Sequence, residues 1–286
     1  MTRRRCPSRG FTLVELVVTL LLFGLMAATL VVFFRPAFDS WMATRQRAAL
    51  AATADQAMRR LLRDVRVAVP NSIRTPGTDC FELVPTSAGG RYRLAEDSVN
   101  GASAAVDPAL ATSSFDVLSP LSATPAPGDW VVVDNQNPGD VYSGANRSAI
   151  TAVSVPAATA GRHRLAINPL QFPLGYDGGR FGVVPDSQQA VFYVCSGAST
   201  TLDANGDAPG VLVRLKRYGF NAAAPSACPA TTGGDVLATG LRSCRFLYNA
   251  NQGATQQSGF LSVQLEFTRR GETASLVFGA HVANVP

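Results

Sequence analysis

Few residues in this chain of 286 have types and spacings that suit chemistry. Cys80, Cys195, Cys228 and Cys244 are widely separated, no C-x-x-C pair occurs, and the histidines are His163 and His281. That pattern argues against a metal site of zinc type. Four cysteines allow two disulfides in three connectivities. In "LDANGDAPG" (202–210), Asp203, Asn205 and Asp207 set oxygen donors at alternate positions, as at the start of a calcium loop. The glycine is misplaced for an EF-hand, and Arg214 stands where the bidentate glutamate belongs, so a polar turn explains the stretch better. Neither a nucleophile elbow, a P-loop, a dinucleotide fingerprint nor H-E-x-x-H is present, so the sequence implies no enzyme and no cofactor. One carboxylate does call for an explanation. In "RGFTLVEL" (9–16), Glu15 heads an apolar run that continues to Phe34. A carboxylate in such a segment is costly without a partner or a role.

The elements around Glu15 are those of a membrane anchor. Hydrophobic residues make up 47% of the chain and charged residues 16%, which is low for a soluble protein. The net charge of +5 is concentrated at the start, in Arg3, Arg4, Arg5 and Arg9. Without those four, 21 basic residues face 20 acidic ones, so charge gives no case for nucleic-acid binding. Leu16–Phe34 is nineteen residues without a charge, close to the ~20 a spanning helix needs and longer than a secretory signal's apolar region. No small-residue cleavage site follows it. The arginines before it place the N-terminus in the cytoplasm and the remainder outside, by the positive-inside rule.

"RGFTLVELVVTLLLFGLMAA" resembles the N-terminal signature of type IV prepilins and of the pseudopilins of type II secretion. The resemblance implies a basic leader, residues 1–10 (taking Cys6 with it), cut after Gly10 by a prepilin peptidase that then methylates the new N-terminal Phe11. It also implies that Glu15, fifth after the cut, takes part in assembly. The physics agrees: cutting leaves the anchor in place and creates an amine at Phe11, one helical turn from Glu15, where the helix dipole favours a carboxylate. The partners implied are the prepilin peptidase/methyltransferase, other major and minor pilins, an inner-membrane assembly platform and the membrane, with no nucleic acid.

Beyond the 11–34 helix, residues 35–70 read as an amphipathic extension, with Pro36 kinking the helix or restarting it. Met58, Leu61, Leu62, Val65 and Val69 share one helical face, while Arg59, Arg60, Arg63, Asp64 and Arg66 lie mostly off it. Pro70 ends the helix. From residue 71 onward, Gly, Pro, Ser, Thr and Asn punctuate short strand-like runs: 80–85, 114–121, 129–135, 149–155, 162–168, 189–195, 211–218, 244–249, 260–269 and 273–285. In "LSVQLEF", Leu261, Val263, Leu265 and Phe267 alternate with polar residues, as in a half-buried antiparallel strand. "NQNPGDVYSGANR" (135–147) reads as a polar connector. The expected fold class is α+β: a long N-terminal helix, transmembrane then amphipathic, packed on a mostly antiparallel, β-rich domain at 71–286 in the periplasm. An oxidising compartment favours two disulfides there, and local loop closure and strand edges favour Cys80–Cys195 and Cys228–Cys244.

Several stretches, "MRRLLRDVRVAVPNSIR", "FELVPTSAGGRYR", "GDWVVVDN" and "HVANVP", are also similar to minor pilin-like subunits of the mannose-sensitive haemagglutinin (MSHA) pilus and to the related J-type minor pseudopilins of type II secretion. A low-abundance subunit is implied, in a pilus or in a secretion filament. A filament-borne adhesin is the reading from another class.

Overall fold

The fold was analysed in a computed structural model, which describes residues 10–99, 101–174, 178–250 and 258–284. Arg3, Arg4, Arg5, Cys6 and Arg9 of the expected leader lie outside the described residues, as does the end of the 273–285 run. The chain divides into two compact units, one up to Ala49 and one from Leu50 onward.

A single helix, α1 (Leu13–Arg66), runs through the first unit and into the second. It continues through Pro36 as one helix, where the sequence predicts a kink or a restart. In the first unit the apolar stretch is exposed on all sides: Leu13 and Phe33 are each about four-fifths accessible, and Leu20, Leu21, Phe23 and Leu25 are each exposed by more than half. The hydroxyls of Thr19 and Thr29 donate back to the carbonyls of Leu16 and Met26, which spares an apolar helix two unpartnered donors.

In the second unit α1 becomes one-sided. Leu50, Ala54, Ala57, Met58, Leu61 and Val65 are buried at helical spacing. Of the expected face, Met58, Leu61 and Val65 are fully covered and Leu62 half so. Val69 is buried too, but beyond the helix and in a different cluster. The helix stops at Arg66, four residues before Pro70. Proline has no N–H to give the Arg66 carbonyl, and it disfavours helical backbone just before it. Val69 turns instead into a strand-like contact, its N–H bonding the Val84 carbonyl.

The rest of the second unit is almost wholly antiparallel. In chain order it comprises β1 (Cys80–Leu83), β2 (Ala88–Arg91), β3 (Thr112–Val117), β4 (Trp130–Val133), the single-turn α2 (Asp140–Ser143), β5 (Arg147–Ser154), β6 (His163–Leu170), β7 (Arg180–Val184), β8 (Val191–Ser196), β9 (Gly210–Lys216), β10 (Asp235–Asn249), β11 (Ser258–Arg269) and β12 (Glu272–Ala283). These make two six-stranded sheets. The first, ordered β1-β8-β9-β10-β11-β12, takes the buried face of α1 on a core of Phe81, Tyr193, Phe246, Leu261, Val263, Leu265 and Phe267. Leu261–Phe267 alternates as the sequence predicts, all four apolar residues being at most 2% exposed.

The second sheet, ordered β2-β7-β4-β5-β6-β3, closes on itself. Tyr92, just past β2, bridges Val117 at the end of β3, and Arg93 and Leu118 add backbone hydrogen bonds on either side. Closure removes the free edges that would template association. Phe115, Val131, Ile150, Leu165 and Val183 fill the interior. The 135–147 connector is folded rather than loose: Val141 and Tyr142 of α2 are buried where the two sheets meet.

The disulfide pairing corrects the sequence-based expectation of Cys80–Cys195 and Cys228–Cys244. Cys80 joins Cys228 and Cys195 joins Cys244, with Cα separations of 5.7 and 6.3 Å. Strand parity explains the difference. Cys80 lies opposite Val194 in the β1/β8 ladder, so Cys195 points to the other face of the sheet. Cys80 packs with Phe192 and Val194, whereas Cys195 and Cys244 both lie against the helix-side core. The bonds close sequence separations of 148 and 49 residues, which the chain-entropy model equates with about 5 and about 4 kcal/mol. Peptide mapping under non-reducing conditions should recover the linked pairs 80/228 and 195/244. Leu61→Ala, at a site with no exposure, should lower unfolding stability by about 2–5 kcal/mol in a denaturant titration.

Candidate functional site

The N-terminal residues form a compact chemical unit. Gly10 and Phe11 precede the helix, Phe11 is about three-quarters exposed, and nothing lies within 4 Å of the space a side chain at Gly10 would take. The junction between them is open to an enzyme. Thr12 is the residue before the first helical position, and its Oγ1 accepts the backbone N–H of Glu15 at 3.3 Å. Thr12 and Glu15 thus occupy the cap and third helical positions of a T-x-x-E capping box. Glu15 sits where free N–H groups and the helix dipole stabilise an anion. Thr12 is the functional residue the sequence reading passed over, although the T-x-x-E spacing signals it.

Three ion pairs, each on a buried carboxylate, hold the second unit. Asp64, expected off the apolar face of α1, lies on it: it is seven residues from Ala57 and three from Leu61, the spacing that returns to one side of a helix. Arg214 of β9 reaches Asp64 at 2.6 Å, the Tyr193 hydroxyl donates to the same carboxylate at 2.8 Å, and Gln188 accepts from the guanidinium at 2.7 Å. Burial, reinforced by the neighbouring Asp64 anion, pushes the Tyr193 hydroxyl well above its ordinary pKa, so it stays a donor. In the second cluster Arg74 pairs with Glu82 at 2.6 Å and lies over the Tyr142 ring, while Tyr218 donates to Glu82 at 2.5 Å. Burial raises Glu82 above the ordinary carboxylate range despite these partners. In the third, Arg164 grips Asp116 through Nε and Nη2 at 2.7 and 2.9 Å, and the Ala104 N–H adds a bond at 2.7 Å. Burial alone would raise Asp116, but these bonds outweigh it and hold the carboxyl below its ordinary value.

These clusters fix elements to one another. Each charge is matched within the fold, and among the described residues none is hydrogen-bonded to a serine, cysteine or histidine side chain. Asp203, Asn205 and Asp207 form a turn: Asp203 Oδ1 accepts the N–H groups of Asn205 and Asp207, each at 2.8 Å, and Asp207 Oδ1 accepts that of Arg270 at 2.7 Å. Local backbone N–H groups thus occupy one oxygen each of Asp203 and Asp207. Among the described residues no group of three or more His, Cys, Asp and Glu side chains could share a metal ion.

Comparison with known proteins bears on the first of these regions. Residues 5–31 match the prokaryotic N-terminal methylation motif. The chain carries a type IV prepilin-like N-terminus. That motif belongs to structural filament subunits of the pilin and pseudopilin class, and it supports processing by a prepilin peptidase and association with other pilins. It coincides with the one described helix long and apolar enough to cross a membrane. No curated protein and no solved structure matches the chain.

Two outcomes follow from the ion pairs. Asp64→Ala leaves Arg214 buried without its anion, and denaturant unfolding should show a loss of about 3–5 kcal/mol. Asp116 is lowered from 3.8, so its contribution to stability is complete above that value and falls away as pH drops through the lower folded-state value. Asp116→Asn should therefore flatten the acid limb of an unfolding curve followed by tryptophan fluorescence. An unchanged acid limb would contradict the assignment.

Proposed function

We propose that this chain is a minor type IV pilin-like subunit of MSHA type, which takes part in assembling or priming a pilus. Prepilin peptidase removes residues 1–10, and Phe11 becomes the methylated N-terminus. Residues 11–34 hold the subunit in the inner membrane, residues 35–70 extend the helix, and residues 71–286 stand in the periplasm until the subunit enters a filament. The observation that carries this reading is the coincidence, over one segment, of the methylation motif, an accessible Gly10–Phe11 junction and a long apolar helix with no protein cover. Two disulfides in the second unit fit an oxidising compartment. A structural rather than enzymatic role fits the three ion pairs on Asp64, Glu82 and Asp116, whose charges are matched within the fold. The resemblance of residues 58–74 and of the chain's end to minor members of the class favours a low-abundance subunit over a shaft repeat.

The specific alternative within the class is a J-type minor pseudopilin of type II secretion, supported by the same stretches. A filament-borne adhesin is the alternative outside it. A deletion strain decides between the first two. Loss of surface pili with secretion intact is the expected result, and loss of secretion with pili intact would assign the chain to the secretion system. Binding of the purified chain to a glycan or cell surface would favour the adhesin.

Glu15 supplies a second test. As a carboxylate next to a newly made amine and at a helix start, it suits lateral docking against a neighbouring subunit's N-terminus. Glu15→Ala should leave membrane insertion and cleavage intact and reduce incorporation into filaments, or methylation, by several-fold, measured by immunoblot of sheared filaments and by peptide mass. Normal incorporation and methylation of the variant would contradict the assembly role.

A further inference from the structure

Four carboxylate residues are buried among the described parts of the second unit: Asp64, Glu82, Asp116 and Asp134. Arginines neutralise the first three, as set out above. Asp134 differs: no described lysine or arginine lies within ion-pair distance of it. It is 5% exposed, its Oδ2 accepts the Tyr92 hydroxyl at 3.3 Å, and no described residue donates to Oδ1. Its backbone is left-handed, with φ of 48°, a conformation aspartate and asparagine tolerate better than most residues. Burial raises its carboxyl above the ordinary aspartate range, and the Tyr92 bond opposes this only in part. A buried carboxylate without a cation is costly, so its retention calls for a partner from elsewhere.

Asp134 is reachable. It lines a cleft of about 390 Å³ between the β2/β7 wall of the closed sheet and the segment that follows α1. That size falls within the range of small-ligand sites. Val67, Val132 and Phe181 supply apolar wall. Asn135, also in the lining, is already committed: its amide donates to the Pro70 carbonyl and its oxygen accepts from the Val141 N–H. Arg66 and Arg180 line the same cleft, both exposed, and neither forms an ion pair with a described residue. The cleft therefore presents one buried anion and two solvent-facing cations, none of them ion-paired with a described residue.

We propose that this cleft binds a cationic group on an aliphatic stem, an ammonium or a guanidinium, which takes toward Asp134 the place that arginine takes at the other three buried carboxylates. Val67, Val132 and Phe181 flank the stem. Arg66 and Arg180 select a ligand that also carries a negative charge farther out. A free basic amino acid meets both demands through its own carboxylate. A lysine or arginine side chain of a peptide meets them when an acidic residue adjoins it.

The test uses the full chain in detergent, with three probes read by titration calorimetry and thermal shift: L-arginine, agmatine (which lacks the carboxylate), and a capped tripeptide with arginine between two glutamates. L-arginine, the tripeptide or both should bind at millimolar concentration or below, and agmatine more weakly than the tighter of them. Binding of L-arginine identifies a small-molecule source, and binding of the tripeptide alone identifies a protein source. Asp134→Asn keeps the left-handed backbone and the bond from Tyr92, and should weaken binding by at least about tenfold, the loss expected for a charged hydrogen bond. Arg66→Gln/Arg180→Gln, at exposed sites, should narrow the preference over agmatine. Absence of binding by all three probes, or unchanged affinity in Asp134→Asn, would overturn the proposal. Agmatine binding as tightly as the best probe would remove the role given to the two arginines.

Discussion

Water cannot accommodate the surface that α1 presents from Leu13 to Phe34. The helix is apolar on every side there, and its apolar run is not covered by protein. An amphipathic helix has one side to hide and can hide it on a sheet. A helix that is apolar all round needs an apolar solvent or a shell of like helices. Both descriptions apply to a pilin-like subunit, before and after assembly. This constraint gives Glu15 its meaning, because the one carboxylate in the region lies at the helix start, capped through Thr12, rather than within the span.

The same helix obeys different rules from Leu50 onward. Alanines at 54 and 57 let the sheet approach closely, and Met58, Leu61 and Val65 fill the space against Phe81 and Tyr193. Asp64 then fixes rotation and register, since only one setting of the helix brings its carboxylate to both Arg214 and the Tyr193 hydroxyl. Apolar packing alone would tolerate a slip that this network does not. Glu82 with Arg74 ties the segment after α1 to β1, and Asp116 with Arg164 joins the paired strands β3 and β6. Stability therefore rests on matched charges as well as on apolar volume.

Much of this was legible in the sequence because it depends on local periodicity. The apolar run, the helical spacing of Met58, Leu61 and Val65, and the alternation of Leu261–Phe267 are all visible one residue at a time. What escaped depends on partners far away in the chain. β2 (AGGR) and β7 (RFGVV) are short and glycine-containing, and they exist as strands because each pairs with the other to line the closed sheet. β10 begins at Asp235 rather than near Cys244 because Gly240, with a φ of 82°, carries the strand through a region of shifted register where a sequence reading sees a break. The disulfides turn on whether Cys195 stands opposite Cys80 or one residue beyond, a parity no spacing reveals. The burial of Asp64 is not legible locally, because a charge on a helix is ordinarily solvated and its partner Arg214 lies 150 residues away. At the N-terminus, by contrast, the methylation motif is local and so legible along the chain, and the T-x-x-E spacing within it signals Thr12 as the cap.

The central claim is that the apolar helix is kept and its leader is lost, leaving a new amine one turn from Glu15. Intact-mass and N-terminal fragmentation analysis of the chain extracted from the membrane of its own host tests this directly. The account predicts a mature protein that begins at Phe11 and carries one added methyl group on that amine. A mature chain that keeps residues 1–10, or one cut within or after the 11–34 helix, would contradict it.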